Sequence, residues 1–276
     1  GHVFTELLST EHASERWYRH HSFVHGYTAP MFLFAAGLAF GVTTFRAWDK
    51  TTRTGRPLYE RLGRYAMLIA IGYVMHWPAL TPAGFETLAD DAWRSFIAVD
   101  VLQHIGVSLC AIQLLAVLLR KPERLVALLA AAFAVAVVLA PYLWSLDPRP
   151  TVPDWLAGYV SGASGSTFPL FPWAAFTWGG VLVGWALKDL ERPSWDALGS
   201  LVIATVLVIV IPVAINRTGF RPYGEHDFWR SSPYYFFFRF GNVMAVLSGA
   251  CLLERAVAGA RLAERSAVVR GALRFA

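Results

Sequence analysis

Seven stretches of the chain run with few or no charged positions, and polar segments rich in Arg, Pro, Gly and Asp separate them. They fall at about 27–45, 65–80, 99–119, 125–144, 170–187, 197–215 and 234–253. A helix needs roughly 20 mostly apolar residues to cross the hydrocarbon core of a bilayer. The stretches 125–144 and 197–215 carry no charge at all, and 65–80 is the shortest. No internal repeat is visible. The pattern predicts an all-α fold, a polytopic transmembrane helix bundle with about seven visible spans, as one integral-membrane domain over residues 1–276. The longest connections, around 78–98, 145–169 and 216–233, have room for short interfacial helices.

Charge then gives the bundle a direction. Segment 46–64 holds six Lys/Arg, including Arg46, Arg53, Arg56 and Arg64, whereas 78–98 holds only Arg94. Summed over alternate loops, basic residues divide sixteen against seven, with Arg239 left inside a span. By the positive-inside tendency, the tail is cytoplasmic and the visible N-terminal segment lies outside. An outside start without a signal peptide predicts a preceding first helix that is missing from this sequence, with His2 near its outer end. The amphipathic stretch 257–275 ends without a stop signal, so a further span can follow.

Composition agrees with this reading and narrows it. The chain is 56% hydrophobic and 16% charged, against about 45–50% and about 25% in soluble domains. Disordered, collagen-like and nucleic-acid-binding classes are excluded by the same figures. The net charge of +5 is a sided membrane charge rather than a nucleic-acid patch. Eleven Trp, ten Tyr and nineteen Phe suit rings placed at a membrane interface. Cys110 and Cys251 sit in apolar runs, as small core residues do.

Ionisable groups near the spans are few, and each is a functional candidate by default. Asp100, Gln103 and His104 share one helix face by their spacing. Asp100 can hold the His104 ring in one tautomer, as a carboxylate does for a catalytic histidine. The plainer alternative is an N-cap Asp with an interfacial His. Arg239 and Asn242 follow the aromatic run 234–238. Arg239 can bind an anionic group, pair with Asp100 or snorkel to the interface, and Asn242 can help it stabilise an oxyanion. His2, His20, His21 and His25 all belong on the outer side, where a neutral imidazole can take a proton from an attacking amine or hydroxyl. No Cys or carboxylate pattern accompanies them, so no metal is assigned. Gly37 and Gly41, and again Gly180 and Gly184, form GxxxG spacings that let helices approach or leave room for a long ligand.

These segments together resemble one family. His25-Gly26-Tyr27-Thr28-Ala29-Pro30-Met31-Phe32-Leu33-Phe34-Ala35-Ala36-Gly37 is similar to the HG-x-x-AP-x-F-x-F-x-x-G stretch of bacterial proteins related to heparan-α-glucosaminide N-acetyltransferase. Asp100-Val101-Leu102-Gln103-His104-Ile105-Gly106 resembles that family's D-V-L-Q-x-I-G helix start. Phe168-Pro169-Leu170-Phe171-Pro172-Trp173 resembles its F-P-L-x-P-W element, and Phe238-Arg239-Phe240-Gly241 its F-R-x-G entry to a late helix. The four occur in the family's order.

The resemblance implies a transmembrane acyltransferase of a bacterial inner membrane. It would take an acetyl group from acetyl-CoA in the cytoplasm and deliver it to an amine or hydroxyl of an extracytoplasmic sugar or glycan. An outer histidine would be the catalytic base. His21 and His25 both fit that role, and His25 is favoured by its Gly and Ala-Pro context; Asp100 and His104 would assist. His2, Arg239 and Asn242 would meet the acceptor side. Arg46, Arg53, Arg56 and Arg64 would meet the CoA phosphates, although they satisfy the positive-inside rule without any ligand. Membrane lipid is the other expected partner, nucleic acid is not one, and a homo-oligomer is possible. The competing class is a transporter or flippase-like protein for a sugar or lipid-linked substrate, with no covalent chemistry.

Overall fold

The computed structural model describes residues 23–78, 81, 84, 89–189, 194–220 and 222–272, with side chains through Ala258 apart from Asp91 and Ser164. His2, His20 and His21 lie outside the described residues. The described residues form helices and no strands. The long helices are α1 (Thr28–Arg46), α3 (Arg56–Met75), α5 (Val101–Leu119), α6 (Pro122–Ser145), α8 (Leu170–Leu187), α9 (Trp195–Arg217) and α11 (Pro233–Ala272). Short helices occupy the connections: α2 (Trp48–Thr51), α4 (Asp90–Ile97), α7 (Asp154–Val160) and α10 (Phe228–Ser231). The chain is an all-α polytopic bundle, with interfacial pieces in the long loops where the sequence left room for them.

Among the described residues, six helical segments are long and apolar enough to cross a membrane: Phe23–Arg46, Val101–Leu119, Pro122–Ser145, Leu170–Leu187, Trp195–Arg217 and Pro233–Ala258. The seventh predicted span departs from expectation. Its helix, α3, begins at Arg56 and stops at Met75, so it starts earlier than 65 and ends before 80. The first half carries Arg56, Glu60, Arg61 and Arg64, and only the second half is continuously apolar. Twenty residues still span about 30 Å at 1.5 Å per residue, enough to cross alongside a neighbour. That neighbour is α5, which packs along it.

Local chemistry explains several boundaries. Asp100 caps α5, its side chain accepting from the Val101 amide. Arg120 ends α5 in the left-handed region at φ 55°, and Pro122 opens α6 two residues later. Proline suits a first helical turn, whose amide hydrogens have no intrahelical acceptor. Ser194 caps α9 through the Ala197 amide, and Asp227 caps α10 through the amides of Trp229 and Arg230.

The bundle is organised around α8. It packs on α1 at one side and α6 at another, while α3 pairs with α5 and α9 with α11. Most residues of α8 between Pro172 and Gly184 are buried, which its all-round apolar sequence requires. Phe34, Phe176, Phe236 and Phe240 interlock in the core. The α1–α8 seam is closed by glycine. A Cβ added to Gly37 would lie 1.9 Å from the Thr177 carbonyl oxygen, and one on Gly180 would lie 2.1 Å from that of Phe34. Gly41 and Gly184 meet in the same seam. The two GxxxG spacings therefore serve backbone-to-backbone packing, and the room expected there for a long ligand is filled by helix. By contrast α9 turns Ile203, Val206, Val210 and Ile211 outward, as a lipid-facing surface does.

Candidate active site

Alternate helices run in opposite directions, so the bundle has two chemically different ends. One gathers the ends of α1, α5, α8 and α11 nearest Arg46, Arg120, Lys188 and Arg255. There the Arg46 Nε donates to the Lys188 carbonyl at 2.6 Å, and the Trp48 indole to the Arg120 carbonyl at 3.4 Å. Arg61 and Gln113 both donate to the Thr51 carbonyl, fixing α2 against α3 and α5. Of the four cations expected to meet CoA phosphates, Arg46 holds Lys188 and Arg56 pairs with Glu60 at 2.8 Å. Arg53 and Arg64 are exposed at the same end.

The opposite end holds a cavity of about 760 Å³. Its walls come from five places in the chain. The start of the first span contributes His25, Gly26 and Phe32, and the end of α3 contributes Gly72 and His76. Asp100 and Gln103 come from the start of α5, Phe168 and Trp173 from the entry to α8, and Trp229 and Arg239 from α10 and α11. The four segments that resembled one family thus converge on one cavity.

Backbone pairing brings the entry of α8 to the start of α5. Phe168 N–H donates to the Val99 carbonyl at 3.1 Å, and the Val99 N–H donates to Ser166 Oγ at 2.9 Å. This clip also determines the fate of His104. Its Nδ1 lies 3.0 Å from the Phe168 carbonyl, and the residue is completely buried. The expected pairing of Asp100 with His104 is not formed. Asp100 instead uses Oδ1 on the Val101 amide at 2.7 Å, and its Oδ2 lies 3.6 Å from Nε2 of His76. His104 lies behind the cavity wall rather than on it, with Nδ1 toward the Phe168 carbonyl and Nε2 buried without a partner. His76, which the sequence reading passed over, stands on the cavity wall in its place.

The polar groups of the wall are unevenly satisfied. His25 is half-buried. Asp100 is the only carboxylate lining the cavity among the described residues. Gln103 is 0% exposed, and neither of its amide atoms has a hydrogen-bond partner. The Trp173 indole N–H and the Arg239 Nε are likewise buried without one. Buried unpaired donors are expensive, costing about 1–3 kcal/mol each, and are uncommon without a reason. Arg239 lies 4.2 Å from the centre of the Tyr235 ring and 5.7 Å from that of Trp173, and it donates to the Trp229 carbonyl at 3.3 Å. It is held by aromatic faces, not by Asp100. Asn242 does not line the cavity: it donates to the Tyr27 hydroxyl and the Phe238 carbonyl, so its amide is spent on positioning α11 against the first span.

A second, shallower cavity of about 390 Å³ lies on the other side of His76, with Arg94, Arg149 and Thr167 on its walls. Asp147 holds Arg149 through two hydrogen bonds of 2.7 and 2.5 Å. The guanidinium in turn keeps the Asp147 carboxyl below the usual carboxylate range. Deeper in the same region Tyr73 and Tyr159 share a hydroxyl contact of 3.1 Å, and burial followed by that partner pushes the Tyr159 phenol up. No group of three or more His, Cys, Asp or Glu that could hold a metal ion occurs among the described residues.

The family model for heparan-alpha-glucosaminide N-acetyltransferase, catalytic, matches residues 1–222. That region contains every cavity-lining segment except α10 and α11. No curated protein and no solved structure matches the chain.

Proposed function

The chain belongs to the heparan-α-glucosaminide N-acetyltransferase catalytic family, and from that membership we propose that it acetylates an amine or hydroxyl of an extracytoplasmic sugar with acetyl-CoA as donor. Its coarser identity is that of a membrane-spanning acyltransferase. The observation that carries the finer reading is the convergence of His25, Asp100, Gln103, Trp173 and Arg239 on one cavity. The cavity end is the outer one in this reading, because the opposite end carries the basic loops.

His25 is the general base. In its neutral form it takes the proton from the acceptor as the nitrogen or oxygen attacks the thioester carbonyl. The unpaired donors of Gln103, Trp173 and Arg239 are available to the carbonyl oxygen, whose negative charge grows during the attack. Base catalysis contributes about 10²–10⁴-fold, so fixing both reactants in a largely apolar cavity supplies the rest. At the basic end Arg53 and Arg64 supply exposed cations for the CoA phosphates. The closed glycine seam directs the pantetheine arm away from the α1–α8 contact.

Incubating the purified protein with labelled acetyl-CoA and a panel of amino and neutral sugars tests the reading. Label transfers to a sugar in the unaltered protein, is lost in His25→Ala and is kept in His12→Ala. Failure of the folded protein to bind acetyl-CoA in calorimetry overturns it.

A further inference from the structure

We propose that His76, held by Asp100 and the Gly72 carbonyl, is the proton donor to the departing thiolate, so that the transfer uses two histidines, one taking a proton and the other giving one. The inference rests on the acetyl-transfer reading above and assigns to this cavity a group that the sequence motifs do not include.

The geometry separates the two nitrogens of the ring. His76 Nδ1 lies 2.9 Å from the Gly72 carbonyl, an acceptor, so this nitrogen carries a proton. Nε2 lies 3.6 Å from Asp100 Oδ2, within ion-pair range and longer than a hydrogen bond. Asp100 cannot easily turn away, since its other oxygen caps α5 on the Val101 amide. His76 is therefore fixed on the cavity wall with Nδ1 held by the backbone and Nε2 beside Asp100, the nitrogen left to exchange a proton with a bound thiolate.

The other charged groups that face His76 can be named. Arg94 and Arg149 border it across the shallower cavity and oppose its charge, and Asp147 offsets Arg149. Across the main cavity lie His25, Arg230 and Arg239. Asp100 is the carboxylate that faces Nε2, at 3.6 Å.

The step balances. The acceptor nitrogen or oxygen forms a bond to the acetyl carbon and loses its proton to His25. The carbon–sulfur bond breaks with its electron pair on sulfur, which takes the proton from His76 Nε2 to give free CoA thiol. One proton then returns from His25 to His76 through water, and both rings regain their starting states.

The test is the pH dependence of kcat/KM for acetyl transfer by the full chain in lipid nanodiscs. The unaltered protein gives a bell: the acid limb reports protonation of His25, and the alkaline limb reports loss of the His76 proton. His76→Gln lowers kcat by about 10²-fold and removes the alkaline limb. Asp100→Asn keeps the α5 cap, because Asn caps as well as Asp, and removes only the charge. It lowers kcat at least severalfold while leaving KM for acetyl-CoA unchanged, because the proton donor loses the group that positions it. A fall at every pH with both limbs kept in His76→Gln overturns the proposal, as does an unchanged kcat in folded Asp100→Asn. No transfer by the unaltered protein overturns the acetyl-transfer reading and this one with it. Transfer that needs His25 and ignores His76 overturns this one alone.

Discussion

Replacing Gly37 by alanine tests the packing on which the cavity depends. The added methyl would sit 1.9 Å from the Thr177 carbonyl oxygen and 2.8 Å from its carbon, and both are backbone atoms. Ordinary contact begins near 3.4 Å, so α1 and α8 must separate by about 1.5 Å at this point or twist apart. No side chain can swing away to absorb the clash. The two helices form the most extensive pair among the described residues, and each also carries part of the core around Phe34 and Phe176. Overpacking of this kind costs about 1–3 kcal/mol and occasionally more. For a chain of this length each kcal/mol corresponds to about 2–4 °C in melting temperature. Gly37→Ala and Gly180→Ala should therefore each lower the melting temperature of the detergent-purified protein by about 2–12 °C. Gly249, inside α11 with nothing within 4 Å of a built Cβ, is the control. Alanine there should leave the melt unchanged or raise it slightly, since alanine is the better helix former by about 1 kcal/mol. A Gly37→Ala protein that melts at or above the unaltered one refutes the close α1–α8 approach.

Other perturbations separate stability from function. Gln103→Leu removes two buried unpaired polar atoms at similar volume, so it should keep or raise the melting temperature while lowering sugar acetylation at least tenfold. Equal activity would show that the amide meets no reactant. Trp144→Phe loses the 2.6 Å indole bond to the Phe171 carbonyl and leaves that acceptor unpaired at the kinked entry to α8. It should cost about 1–3 kcal/mol, read as a lower melting temperature. His104→Gln, which loses the aromatic ring but keeps a donor for the Phe168 carbonyl, should impair stability more than kcat, measured by melting and by acetyl transfer in parallel.

Much of the architecture was legible because membrane helices announce themselves by length and apolarity. The uncharged stretches became α6 and α9 with boundaries shifted by a few residues. The span ending near 80 was misjudged for a physical reason. Its helix begins among Arg56, Glu60, Arg61 and Arg64, charges that an apolar pattern leaves out, and it packs along α5. Gly72, packed against the Gln103 side chain, and Gly106, against the Tyr65 carbonyl, make that contact close. No local spacing ties His76 to Asp100, and it falls at the C-cap of α3 rather than inside an apolar span.

The misplaced Asp100–His104 pair shows where helical periodicity stops being informative. Spacing puts residues i and i+4 on one face only if both are helical, and Asp100 is not: its backbone is extended at φ −110° and ψ −178°. A cap residue bends its side chain back to the first amides and leaves its second oxygen aimed outside the helix. Here that oxygen faces the end of another helix, where His76 stands. His104, one turn into α5, is instead covered by the segment leading into α8, through the clip between Val99 and Phe168. Such a contact joins residues 64 positions apart, and no local pattern encodes it. A single carboxylate thus has two duties, starting α5 and holding a charge beside α3. This explains why a residue read from sequence as either cap or catalytic partner is a cap with its partner on a different helix.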